Sequence, residues 1–377
     1  MPLRGFKFHP LYDDFSAPTF DSRHNIFCGG SWASTGNEAT RAARYAFRRH
    51  FYQHAGFRYI LAAPLEVTVQ SVCETDQAVT FMMDAQYNDA SLAKVSKSLG
   101  MNLPNYSIRM AELATNAYKQ YNRVVLPKES ALSPSSPTTT SLSAVGPRAI
   151  DIGCACGRST FELAKLAAPI DASSSPLFSH ILGLDFSTRF IRIAAQLQFS
   201  GHAEYSLKKE GDLLSYHSIE SGLPADSEVP ADSSVVDLDL TKRGMQDRVE
   251  FMQGDACNLS SKYTNFSLVL ASNLIEYLYE PALFLTSIGS RVVPGGLLVL
   301  ASSYTFDEAY TPRAHWLGGM KDAGGESVES ARRIAELLST EFEQIVQATE
   351  EVPCLWKQNA RNYQLKFAHT TVWRRKQ

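Results

Sequence analysis

The chain has 377 residues, 44% of them hydrophobic and 20% charged, with a formal net charge of -3. That is enough chain to bury a sizeable core in two or three domains, and the small net charge gives no global electrostatic case for nucleic-acid binding. No apolar run is long enough to span a bilayer, the first residues lack the apolar stretch of a secretory signal, and the six scattered cysteines form no C-x-x-C pair. A cytoplasmic protein without a disulfide framework or zinc site is expected, with neither membrane nor nucleic acid as a partner.

Residues 1–70 carry Phe27-Cys28-Gly29-Gly30-Ser31-Trp32 and then a basic, aromatic run from Arg41 to Arg58. His50 and His54 have the i, i+4 spacing that puts two imidazoles on one helix face, but Gly56 offers no third ligand, so no metal is expected. Residues 71–128 read as a helical cap, with apolar residues at mixed helical spacing from Ala78 to Met83, Leu92 to Leu99 and Ile108 to Ala117; Pro104 separates the last two helices. Such a cap suits a lid, with Tyr87, Asn88 and Tyr106 as contacts, or else it covers a sheet edge. Residues 129–147 are rich in Ser, Thr and Pro and too poor in apolar residues to order themselves, which predicts a linker.

The region 148–377 opens with Ala149-Ile150-Asp151-Ile152-Gly153-Cys154-Ala155-Cys156-Gly157-Arg158-Ser159-Thr160, a buried strand, a tight glycine turn and the start of a helix. Cys154 and Cys156 read as small packing residues of that turn. The dinucleotide spacing G-x-G-x-x-G is absent, and an acidic residue, Asp151, sits inside the strand. Ile181-Leu182-Gly183-Leu184-Asp185 reads as a second strand ending in a carboxylate, the position at which nucleotide folds bind a ribose hydroxyl. Residues 213–244 carry Asp and Ser clusters and read as an irregular, solvated insertion. Strands are then expected at Val249–Gln253, Phe266–Ser272 and Leu297–Ser302, helices at Ala282–Val292 and Arg332–Ser339, and a closing antiparallel hairpin from Phe342–Ala348 and Phe367–Arg374.

This succession resembles the class I S-adenosylmethionine-dependent methyltransferases: the Asp151 to Gly157 motif, Asp185 on the second strand, Gly254-Asp255-Ala256 beside an adenine, and Ala271-Ser272-Asn273 facing the methyl group. Another doubly wound domain is the alternative fold. The usual middle glycine of the motif is Ala155 here. The expected architecture is a mixed, mostly parallel α/β sheet with helices on both faces and an N-terminal helical cap.

A finer resemblance covers most of the chain. The Phe27 to Arg58 segment is similar to the closing tail of the formylglycine-generating-enzyme-like domain. Together with Glu74-Thr75-Asp76-Gln77, Gly153 to Ala164, Gln253 to Leu259, Tyr304-Thr305-Phe306, Thr311-Pro312, Trp316-Leu317-Gly318-Gly319 and Thr371 to Arg375, it resembles the C-terminal part of the ovothiol biosynthesis enzymes, in which Ala155 is expected. The resemblance implies transfer of a methyl group from S-adenosyl-L-methionine to an imidazole nitrogen of mercaptohistidine, and a separate iron-dependent sulfoxide synthase as a partner. The iron-binding module of that family is missing, so sulfur insertion into histidine is not expected. Another small thiol or imidazole acceptor, or a silent remnant that only binds the donor, are the alternatives.

The donor contacts implied by the resemblance are Asp151, Gly153, Cys154, Ala155, Gly157, Arg158, Asp185, Phe186, Asp255, Ala256 and Asn273. Ligands of open α/β sheets bind at the carboxyl ends of the strands, which makes Asn273, Glu276 and Tyr304 the catalytic candidates, Glu276 as an acceptor or base. Tyr87, Tyr106, Tyr277, Arg313 and Trp316 are the expected substrate contacts. Arg313, Lys321 and Arg158 compete as the cation for a substrate carboxylate, and Trp316 either shapes the pocket or anchors its loop.

Overall fold

The computed structural model describes residues 25–28, 44–47, 73–124, 146–169, 175–221, 233–236 and 246–377. The strands are β1 (Asn25–Cys28), β2 (Arg44–Phe47), β3 (Arg148–Ile152), β4 (His180–Asp185), β5 (His202–Glu210), β6 (Leu213–Ser221), β7 (Ser233–Val236), β8 (Val249–Gln253), β9 (Phe266–Ser272), β10 (Val292–Ser302), β11 (Met320–Lys321), β12 (Ser327–Val328), β13 (Phe342–Gln344), β14 (Glu350–Lys357) and β15 (Tyr363–Arg375). The helices are α1 (Gln77–Tyr87), α2 (Asp89–Ser98), α3 (Tyr106–Tyr121), α4 (Arg158–Leu166), α5 (Thr188–Ser200), α6 (Pro281–Ser287) and α7 (Ser330–Leu338). The expected tail in 1–70 lies outside the described residues except for the antiparallel pair β1–β2, and the expected linker lies outside them up to residue 145. Among the described residues no helix is long and apolar enough to cross a membrane.

The central sheet runs β13-β15-β10-β9-β3-β4-β8, with β14 paired to β15. The inner pairs β10–β9, β9–β3, β3–β4 and β4–β8 are parallel, whereas β15 is antiparallel to β10, β13 and β14. This is the mixed, mostly parallel sheet expected from the sequence. The order reverses between β3 and β9: the chain runs outward from β3 through β4 to β8, then returns to the other side of β3 with β9. The crevice at that reversal is where open α/β sheets bind ligands.

Alternation along the strands builds a core on each face, as a parallel sheet covered on both sides requires. Ala149, Ile181, Leu268 and Leu270 face one side with Phe161 and Leu163 of α4 and Met110 of α3. Ile150, Ile152, Leu182 and Val269 face the other with Phe284 and Leu285 of α6.

Helices α1 to α3 start at side-chain caps: Asp76 accepts from the N–H groups of Ala78 and Val79, Asn88 from Ser91, and Asn105 from Ser107 and Ile108. The cap is fastened to the rest by partly buried ion pairs. Glu74 pairs with Arg192 and Arg189 of α5, and Arg109 of α3 meets Glu350 of β14 at 2.7 Å.

Boundaries depart from the sequence reading in three places. The helix expected at Ala282–Val292 ends at Ser287, and Val292 already begins β10. Leu213–Ser221, expected to be irregular, pairs antiparallel with β5 from Leu213 to Glu220. The closing hairpin is formed by β14 and β15, so Glu350–Lys357 is an additional strand and Phe342–Gln344 is only a short outer partner of β15. Pro353 obscures β14 in the sequence; it is tolerated because β14 pairs only with β15 and lies at an edge.

Candidate functional site

The turn after β3 is shaped by its backbone. Gly153 and Gly157 have φ of 81° and 90°, and Ala155 between them lies at 49°, so a residue with a Cβ occupies a left-handed position. The Ala155 N–H donates to Asp185 Oδ2 at 2.9 Å, and the N–H groups of Gly153 and Cys154 donate to the Leu184 carbonyl. Those three bonds tie the turn to the end of β4. At Gly157 a Cβ would lie 2.8 Å from the Phe251 ring and 2.9 Å from the Ala194 methyl, so the helix start is packed hard against its neighbours.

A cavity of about 1020 Å³ opens above this turn. Of the residues singled out from the sequence, Gly153, Ala155, Asp185 and Phe186 line it, as do Asp255, Ala256 and Asn273. Tyr106 and Tyr277 line it too. Burial pushes the Asp185 carboxyl up to about 6 although backbone N–H groups, among them those of Ser187 and Ala155, pull it down. Burial likewise raises Asp255, whose Oδ1 caps the turn at Ala256–Asn258 by accepting from Cys257.

Asn273 sits at φ 46°, and its N–H donates to the Ala301 carbonyl. Its side-chain Oδ1 is buried and has no hydrogen-bond partner within the described chain. A left-handed asparagine with an unsatisfied oxygen, lining a crevice at the sheet's reversal point, is the kind of stored cost that ligand sites carry. The Tyr106 hydroxyl accepts from Ser272 Oγ at 2.8 Å, joining α3 to the end of β9 beside it.

Other expected site residues lie elsewhere. Asp151 is 1% exposed and does not line the cavity; its Oδ2 accepts from Ser159 Oγ at 2.6 Å and Thr160 Oγ1 at 2.8 Å, stapling strand to helix. Cys154 and Gly157 are buried parts of the turn, outside the cavity wall. Arg158 is buried away from the cavity, paired with Glu162 and Asp89 and lying over the Tyr87 ring. Tyr87 is fully buried, and its hydroxyl donates to the Cys156 carbonyl at 2.8 Å. It braces the turn from beneath, where the sequence reading placed a substrate contact.

The loop after β10 brings similar corrections. Glu276 is 3% exposed, and its Oε1 gathers Ser302 Oγ, the Ser303 N–H and Oγ, and the Tyr304 N–H. It holds a turn and stays outside the cavity lining. The Tyr304 side chain points to His369 Nδ1 at 2.6 Å and lines a shallower pocket with Lys321. Trp316 donates from Nε1 to the Thr311 carbonyl and stacks on Phe306, which makes it the anchor of its loop. Arg313 is exposed above the Trp316 ring.

Several cavity residues were not anticipated, because the cap and the β14–β15 hairpin bring them in from far along the chain. Gln86 of α1 is 7% exposed; its Nε2 donates to the Cys154 carbonyl at 3.2 Å, which leaves Oε1 buried and without a partner. Phe81, Met82, Leu355 and Trp356 supply an apolar wall.

Burial raises the Asp151 carboxyl to about 6, against the pull of the Ser159 and Thr160 hydroxyls and with a push from Asp185. A carboxyl that holds its proton more tightly in the folded chain than in the unfolded chain stabilises the fold less as the pH rises. Asp151 therefore costs stability progressively from about pH 4 and fully above about pH 6. Asp151→Asn is expected to melt at a higher temperature than the wild type at pH 8 and to lose that advantage at pH 4.5, as thermal scans at the two pH values would show.

No family model matches the chain, and no curated protein matches it by sequence. Solved structures do resemble it. The [4+2]-cyclase SpnF is 14% identical with a TM-score of 0.38, covering 81% of this chain and 97% of that one. A TehB-like SAM-dependent methyltransferase from Corynebacterium glutamicum is 15% identical with a TM-score of 0.33, covering 77% and 97%. A SAM-dependent methyltransferase from Methanosarcina mazei is 14% identical with a TM-score of 0.34, covering 61% and 93%. One fold hosts many reactions, so the chemistry resides in the site.

Proposed function

We propose that the chain is an S-adenosyl-L-methionine-dependent methyltransferase that acts on a small molecule. The observation that carries this reading is the Asp185 carboxylate tied to the left-handed Ala155 turn on the wall of the cavity of about 1020 Å³. The donor set fits such a cofactor. Asp185 suits ribose hydroxyls, the Asp255–Ala256 turn suits a base edge, and the unpartnered oxygens of Gln86 and Asn273 suit amine donors. A volume of about 1020 Å³ is room for a donor together with a small acceptor.

S-adenosyl-L-methionine, when bound, supplies an activated methyl group. The chain's part is to align an acceptor and exclude water, since in-line displacement depends chiefly on near-attack geometry. Asn273 at the end of β9 and Tyr106 above it would orient the acceptor, while Tyr277, stacked edge-on against Tyr310, closes one side. No carboxylate is needed as a base if the acceptor nitrogen presents its lone pair.

The finer proposal is that the acceptor is the imidazole of mercaptohistidine, with an iron-dependent synthase as a partner in the cytoplasm. It is supported by the family resemblance from Gln253 to Leu259 and from Tyr304 to Gly319. The purified chain, incubated with S-adenosyl-L-methionine and mercaptohistidine, histidine or no acceptor, is expected to give a methylated product with mercaptohistidine alone, read by mass spectrometry. Equal methylation of histidine would remove the ovothiol assignment, and no product with either would move the acceptor to another compound.

A further inference from the structure

Two oppositely charged side chains of the cavity lining, Asp84 and Lys357, have no ion pair among the described residues. Asp84 is 5% exposed, lines the cavity and has no ion pair among the described residues. Its hydrogen bonds are both neutral and both fall on Oδ1, from Asn88 Nδ2 at 2.7 Å and from the Tyr205 hydroxyl at 3.2 Å. It also sits in the last turn of α1, at the end of the helix where the macrodipole disfavours a carboxylate. A buried carboxylate in that position, offered only neutral donors, is costly unless a cation arrives from outside the chain.

Lys357, at the end of β14, is the complement. It is half-buried, lines the same cavity, and among the described residues its Nζ reaches only Ser91 Oγ, at 3.5 Å. Lys357 lies opposite Tyr363 in the β14–β15 register, and Tyr363 lines the cavity as well. A strip of hydrogen bonds joins the two charges: Ser91 donates its N–H to Asn88 Oδ1, and Asn88 donates its side-chain N–H to Asp84. The charges thus stand at the two ends of a short polar strip, held apart by neutral groups.

We propose that Asp84 and Lys357 form a zwitterion subsite that binds an ammonium and a carboxylate carried by one acceptor molecule, and so select the acceptor of the methyl-transfer reaction. This rests on the methyltransferase reading of the same cavity. Asp84 takes the ammonium, Lys357 takes the carboxylate, and the rest of the acceptor extends between the apolar wall of Phe81 and Trp356 toward Asn273. Arg313, Lys321 and Arg158, the cations expected from the sequence, are not among the residues that line this cavity.

The test is calorimetric titration of the full chain saturated with S-adenosylhomocysteine, using mercaptohistidine, its decarboxylated amine and its deaminated acid as probes. The wild type is expected to bind the amino acid at least about tenfold more tightly than either analogue, in keeping with charge-assisted hydrogen bonds lost one at a time. Asp84→Asn keeps its Oδ1 acceptor for Asn88 and Tyr205; it is expected to lose the preference over the deaminated acid and keep the preference over the amine. Lys357→Met, on a different element, is expected to show the converse. Equal binding of the three probes, no binding of any, or unchanged preferences in both variants would overturn the subsite. Failure of S-adenosylhomocysteine itself to bind the wild type would instead remove the methyltransferase reading, and each variant's own affinity for it reports that the fold is intact.

Discussion

Asp185→Ala is expected to lower the affinity for S-adenosylhomocysteine by about 100-fold while the melting curve remains cooperative. Two losses combine. A carboxylate that would accept ribose hydroxyls disappears, at about 1.5–3 kcal/mol for hydrogen bonds to a charged group. The Ala155 and Ser187 N–H groups, now bonded to the two oxygens of Asp185 at 2.9 and 2.8 Å, are also released, so the left-handed turn loses the tie that holds Ala155 at φ 49°. The same residue predicts a pH dependence. Burial places its carboxyl at about 6, and donation from hydroxyls favours the ionised form, so donor affinity should rise with pH through that value and level off above it. At pH 5 the affinity should be about tenfold below that at pH 8, because one pH unit below a pKa leaves roughly a tenth of the group ionised. The Ala variant should show a flat profile over the same range. Calorimetry at both pH values checks the pair of expectations; a loss under threefold, or an unchanged slope in the variant, would take Asp185 out of the donor site.

The contrast between what the sequence disclosed and what it hid follows from contact range. The turn between β3 and α4, and Asp185 at the end of β4, are legible because each landmark is a local pattern of strand, turn and helix whose spacing is dictated by backbone geometry. The roles of individual residues within that pattern are less legible. Asp151, Cys154 and Arg158 belong to the motif, yet their side chains point into packing, where Asp151 holds Ser159 and Thr160 and Arg158 holds Glu162. The end of the cavity beneath the cap was almost invisible. It is assembled from α1, α2 and the β14–β15 hairpin, segments more than 200 residues apart in the chain, as the Lys357 to Ser91 contact shows. Gln86 and Asp84 carry no motif; only their burial without full partnership marks them, and burial is a property of the fold. The misplaced closing hairpin compounded this, since overlooking β14 removed Leu355, Trp356 and Lys357 from consideration at once.

Glu276 gives the other large expected effect, and it separates two roles that a sequence alone leaves equivalent. A buried carboxylate near the end of a strand is a natural choice for a general base. Here its Oε1 accepts from Ser302 Oγ at 2.8 Å, the Ser303 N–H at 2.6 Å and the Tyr304 N–H at 3.2 Å, which keeps Tyr304 in a left-handed conformation at φ 55°. That turn follows β10, whose Ala301 carbonyl receives the N–H of Asn273, so Glu276 supports the cavity wall at Asn273 through two backbone segments. Glu276→Ala would leave those donors buried without an acceptor and is expected to cost about 3 kcal/mol of stability. Glu276→Gln keeps an oxygen in the place of Oε1 and is expected to retain turnover within about threefold of the wild type, whereas loss of a true general base costs on the order of 100-fold or more. Denaturation midpoints and initial rates for the two variants distinguish the cases. A Gln variant that folds like the wild type and has lost its activity would return Glu276 to the chemistry. A stable, active Gln variant beside a destabilised Ala variant would place it in the framework that holds Asn273 at the methyl-transfer position.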